Sequence, residues 1–201
     1  MAYIFSFVFP FLLVMAVMQI ILQKMGRSLI GLWMTMIPAI AAVLIVLIPI
    51  GGIPVGRWLI SLNANFSIPL LALLLNNVWQ KASGKTLLDE PALTGSKIFA
   101  VAGGLVLYPM ALGVGLFDPY AWGWRFSWFF VVMLLVTVGF LIKKNRFGLV
   151  LLFCILAFNL NMLESANFWD YLLDPILVII ACVGLLRKWT KYRDCARTRL
   201  N

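Results

Sequence analysis

The chain is a succession of apolar runs of membrane length, joined by short segments that hold nearly all of its charge. The runs occupy 3–22, 29–50, 58–78, 98–117, 127–142, 147–163 and 168–186. About 20 apolar residues wound as a helix satisfy their own backbone hydrogen bonds and cross the hydrocarbon of a bilayer. A soluble domain is close to half apolar and a quarter charged. Here 64% of the residues are hydrophobic and 11% charged, with a mean hydropathy of +1.03. The pattern predicts an all-α, polytopic integral membrane helix bundle with about seven transmembrane helices, or six if the third run does not cross. The 201 residues form a single transmembrane domain over 1–201 and leave no room for a separate soluble one.

The cations set the expected orientation, because Lys and Arg collect on the cytoplasmic side of short loops. With the amino end outside and the carboxyl end cytoplasmic, all of the 16 Lys and Arg face inward except Arg57 and Arg125. Asp118, Glu164, Asp170 and Asp174 then face outward. No positive charge precedes the first run, Lys24 and Arg27 follow it, and no small-residue cleavage site is evident. An uncleaved span is therefore expected rather than a signal peptide. The net charge of +9 sits in these topology-setting clusters, which argues against nucleic acid. The basic tail from Arg187 to Arg199 is a cytoplasmic anchor for anionic headgroups. The compact loops suggest the plasma membrane of a bacterium, its inner membrane.

Histidine is absent, which excludes His-ligated haem, histidine-based phosphatase chemistry and the usual zinc sites. Cys154 and Cys182 fall in apolar runs and Cys195 in the basic tail, so disulfide exchange has no support. Neither a cofactor nor a metal is expected. GKTLLDEP, at 84–91, lacks the preceding glycine and strand of a phosphate loop. The last run carries no lysine, and Asn167 is followed by Phe168 and Trp169 rather than by a paired-aspartate signature. No family resemblance emerges.

Two stretches are polar where an apolar run is due. Ser61, Asn63, Asn65 and Ser67 recur at every second residue before Pro69, a spacing that does not line one helical face. The third run is therefore expected to start as broken backbone, which survives at membrane depth only beside protein or water. The second stretch, Asn159 to Pro175, holds Asn159, Asn161, Glu164, Asn167, Trp169, Asp170 and Asp174. Asn159 is expected within the membrane, facing protein or water. Asp170 and Asp174, four apart, share a face if the seventh helix has already begun. Local roles compete with a site here: Asn167 and Asp174 as caps, Trp169 and Tyr171 as interface anchors.

The expected topology brings Asn63, Asn65, the loop from Asp118 to Arg125, and the Asn159–Asp174 stretch to the outer face. Carboxylates, amides and tryptophans together suit a sugar headgroup, a polar lipid or a cationic solute. Arg125 is expected to pair with one of the acids. In the fourth run, Ala100, Gly104, Tyr108, Ala111 and Gly115 share a face that lets another helix approach closely. The function expected first is a non-enzymatic accessory component of cell-envelope machinery. It would bind membrane lipids, a membrane-protein partner or a lipid-linked glycan through the outer face. The alternatives are a small-solute or lipid transporter or channel, and a carboxylate-dependent membrane enzyme. Oligomeric state is left open.

Overall fold

The computed structural model describes residues 2–26, 32–63, 65–115 and 117–198. Arg27 and Arg199 of the basic clusters, and residues 29–31 at the expected start of the second run, lie outside the described residues. Among the described residues, the architecture is almost wholly helical. In chain order the elements are α1 (Ala2–Ser6), α2 (Val8–Lys24), α3 (Leu32–Leu47), β1 (Pro49–Ile50), β2 (Ile53–Pro54), α4 (Val55–Ile60), α5 (Ile68–Ser83), α6 (Glu90–Ala111), a 3₁₀ turn (Pro119–Gly123), α7 (Trp128–Ile142), α8 (Phe147–Asn159), α9 (Phe168–Leu172) and α10 (Pro175–Thr198). Two segments, Ala2–Lys24 and Glu90–Ala111, are long and apolar enough to cross a membrane. Shorter apolar helices include Trp128–Ile142 and Phe147–Asn159.

Helix boundaries follow capping chemistry more closely than hydropathy. The fourth run begins its helix at Glu90, well before the apolar residues start, because the Asp89 carboxylate caps it by accepting a bond from Ala92 N at 3.1 Å. Pro91 sits in the first turn, where its missing N–H costs nothing. The linker between the apolar runs ending at 78 and starting at 98 is thus non-helical only between Ser83 and Glu90. Asn76 fastens it to α5, its side-chain oxygen accepting from Leu87 N and Leu88 N, each at 2.8 Å. At the far end of α6, Gly113 takes φ +86 and Val114 N reaches back to Pro109 O at 3.0 Å. That is a left-handed helix stop, for which glycine pays no steric penalty.

The third run is broken. Helix α4 ends at Ile60 and α5 starts at Ile68. Ser67 caps α5, accepting from Leu70 N at 3.4 Å. Before it, Gly51 and Gly52 both take positive φ and close a two-residue hairpin pairing Ile50 with Ile53. Such a turn needs φ > 0 at both central residues.

Packing groups the long helices. Helices α6 and α10 form the most extensive pair, with α2–α3, α2–α5 and α7–α8 next. The small-residue face of α6 explains the first pair. A Cβ at Gly104, on that face, would lie 2.9 Å from Val178 of α10, and one at the neighbouring Gly103 2.6 Å from Leu173 Cδ1, just before α10. The close approach is therefore an internal one. The linkers gather at two ends. At one end Arg146 donates to Leu87 O at 3.0 Å, Asn145 to Pro91 O at 3.2 Å and Lys188 to Thr94 at 3.0 Å. At the other, the break at 61–67, the 3₁₀ turn and the 160–174 stretch bond to one another. This second end holds the site.

Candidate functional site

The second end is built on α9. Asn167, fully buried, caps this short helix by accepting from Trp169 N at 3.0 Å. Its amide donates to Tyr120 O at 2.9 Å, and its own N–H donates to Ser165 Oγ at 2.9 Å. Trp169 donates to Pro119 O at 2.9 Å and stacks on Phe129, with centroids 4.1 Å apart. The 3₁₀ turn can lie this close only because residue 123 is glycine: a Cβ there would collide with Asn167 Oδ1. Tyr171, also fully buried, accepts from Leu163 N at 3.1 Å and donates to Ser165 O at 3.2 Å. Asn167, Trp169 and Tyr171 are therefore walls. The expectation of Trp169 and Tyr171 as interface anchors is overturned by their burial. Asp118 caps the 3₁₀ turn through Tyr120 N at 2.9 Å.

On one face of this unit lies a cleft of about 300 Å³, lined by Asn63, Asn65, Leu107, Tyr108, Ala111, Tyr120, Asp170, Leu173, Asp174 and Pro175. It unites the polar break before α5 with both aspartates. The aspartates do not share a helix: Leu173 is extended, with φ −141 and ψ 143, and separates α9 from α10. Asp174 is 2% exposed and fully engaged. Its Oδ1 accepts from Leu177 N at 2.9 Å, capping α10. Its Oδ2 accepts from Ser67 N at 3.0 Å and Ser67 Oγ at 2.5 Å, tying α10 to the start of α5. Asp170 is half-buried and freer. The Tyr120 hydroxyl donates to its two oxygens at 3.1 and 3.3 Å. Burial, then the Asp170 charge, pushes the Tyr120 hydroxyl up to about 12, so it remains a donor at neutral pH. Asn65 accepts from Ser165 N at 3.2 Å. Asn63 accepts weakly from Asn65 N at 3.4 Å, while its own amide nitrogen is buried with no partner. No residue lining this cleft is basic.

A second cavity, of about 360 Å³, lies on the other face of α9. It is lined by Trp124, Arg125, Phe126, Phe130, Leu134, Ile155, Phe158, Asn159 and Phe168. Arg125 and Asn159 meet here and not at the acidic cleft. The expected pairing of Arg125 with an acid is not what the fold makes. Among the described residues the ion pair at this end is Arg57 with Glu164, at 3.4 Å, and Arg57 also lies over the Tyr3 ring. Chain direction explains it: α4 presents Arg57 beside the loop after α8, whereas the 3₁₀ turn carries Arg125 to the α7–α8 side.

Asn161 lines neither cavity. It takes φ +49 and ends α8, with Met162 N bonding Ala157 O at 3.0 Å, a left-handed stop that asparagine tolerates. Glu164 is exposed and held by Arg57. Tyr108 and Tyr120 were not anticipated as site residues. Their positions depend on helix α6 and the 3₁₀ turn converging on α9, which no local pattern reveals. No family model, curated protein or solved structure matches the chain.

Proposed function

We propose that this chain is a polytopic plasma-membrane protein of seven spans, amino end outside, that acts as a non-enzymatic binding component of cell-envelope machinery. Its outer cleft would receive an ammonium-bearing headgroup or a partner side chain of that chemistry. The membrane reading draws support from apolar helices that are not interior ones. In Ala2–Lys24 and Glu90–Ala111 only 33% and 22% of the most apolar stretch is buried. Leu135 and Ile142 on α7 and Ile37 and Leu44 on α3 are likewise exposed. An apolar surface this extensive is stable against lipid and costly against water.

The observation that carries the binding reading is the cleft itself. Asp170 offers a partly exposed carboxylate with no cation beside it among the described residues, and the Asn63 amide nitrogen is an unsatisfied buried donor. A ligand with an ammonium and a nearby oxygen acceptor satisfies both, and an unmade buried bond costs about 1–3 kcal/mol. A general-acid role for Asp174 fits poorly, because its oxygens already hold two helix starts together. One feature favours transport as the second reading: the backbone break at 61–67 lines the cleft, as broken helices do in carriers.

Saturation-transfer NMR on the detergent-solubilised chain tests this, with glucosamine and ethanolamine as probes and glucose as the uncharged control. The two amines should bind and glucose should not, and Asp170→Asn should abolish the preference. Equal binding of all three, unchanged by that substitution, would end the reading.

A further inference from the structure

The cavity on the α7–α8 side has the opposite chemistry from the acidic cleft, and we infer that it is a separate site for one anionic phospholipid, with an acyl chain among the aromatic rings and the phosphate at Arg125. The wall is apolar at depth and polar only at its mouth. Phe130, Phe158 and Phe168 are packed against one another, with centroids 4.8 to 5.6 Å apart. Leu134 and Ile155 extend the lining toward the centre of the helices. Trp124 and Phe126 stand exposed at the rim, where aromatic rings meet headgroups.

The charge argument concerns what surrounds Arg125. No acid at this end lines the Arg125 cavity. Glu164 pairs with Arg57, Asp118 caps the 3₁₀ turn, Asp170 receives Tyr120 and Asp174 caps α10. Arg125 is exposed and makes no ion pair among the described residues. Asn159 spends one amide hydrogen on Ile155 O, at 2.8 Å, and keeps a second for a ligand oxygen. A guanidinium and an amide N–H together are a phosphodiester site. Unlike a free phosphate, a phospholipid also fills about 360 Å³ of apolar space. This inference does not rest on the reading of the acidic cleft.

The test is native mass spectrometry of the full chain, delipidated in detergent and titrated with dihexanoyl phosphatidylglycerol, with dihexanoylglycerol as the phosphate-free control. The wild type should retain one phosphatidylglycerol in preference to the diacylglycerol. Arg125→Gln should lower that retention about tenfold or more, the scale of one hydrogen bond to a charged group, and Arg125→Lys should restore part of it. Leu134→Trp, which fills the cavity without touching charge, should lower it as well, while Asp170→Asn should not. Equal retention of both lipids, indifference to Arg125→Gln or Leu134→Trp, or displacement of the lipid by equimolar inorganic phosphate would each overturn the proposal.

Discussion

The two cavities beside α9, of about 300 and 360 Å³, share a wall and differ in the charge they carry. Helix α9 and the 3₁₀ turn separate them: Asp170 faces one side and Phe168 the other, and Tyr120 lines one while Trp124 lines the other. The acidic cleft sets two carboxylates and two amides among apolar residues, with Asp174 bonded to Ser67 at the start of α5 and Asp170 to Tyr120 of the 3₁₀ turn. The Arg125 cavity is walled by rings and has polar groups only at its rim. Asp170 and Arg125 are thereby kept on opposite sides of that wall. A thin wall made of satisfied hydrogen bonds can keep two cavities of opposite charge apart at one end of a helical bundle.

The largest expected effect comes from breaking the wall. Gly123→Ala puts a methyl group onto the Asn167 carboxamide and should destabilise the protein by about 3 kcal/mol, the upper range for overpacking. Thermal unfolding in detergent would read this, and both probe preferences should be lost together. Asp174→Ala should come next, at about 2 kcal/mol, since it removes the α10 cap and leaves the Ser67 N–H and hydroxyl without their acceptor. It should spoil the acidic cleft and spare phosphatidylglycerol retention, so equal damage to both would show that the cavities are not independent. Asp170→Asn should cost under about 1 kcal/mol, because Tyr120 can still donate to the amide oxygen. Its effect belongs to amine binding alone.

The smallest effect is with pH. The Tyr120 hydroxyl, ordinarily near 10, is raised to about 12 in the folded protein. The unfolded chain loses that proton first, so the contribution of Tyr120 is intact below pH 10 and is lost as pH rises toward 12. Melting temperature measured from pH 8 to 12 should fall across that window, and Tyr120→Phe should flatten the part due to this residue.

Much of this arrangement was visible in the primary structure. The alternation of amide and hydroxyl side chains before Pro69 announced the break in the third run, and the small residues of α6 announced a close helix contact, though not that α10 would make it. Boundaries were less visible, because Asp89 starts a helix in a polar stretch that hydropathy reads as loop. The site was visible only in part. Asn63, Asn65, Asp170 and Asp174 do line one cleft, and Arg125 and Asn159 line the other, yet nothing local divides them that way. Asn161 and Asn167 are just as polar in sequence and are consumed as a helix stop and a helix cap.

What the sequence determined by itself is what depends on neighbours along the chain: helices from apolar runs and caps, and a segregation of Lys and Arg toward alternate linkers. What the tertiary structure decided is which polar groups stay free. That depends on partners far apart, as with Ser67 and Asp174 or Arg57 and Glu164, each 107 residues distant. A buried donor or acceptor must find a partner wherever the fold supplies one. Only once those partnerships are made do Asp170, the Asn63 amide and Arg125 stand out as the groups left over for a ligand.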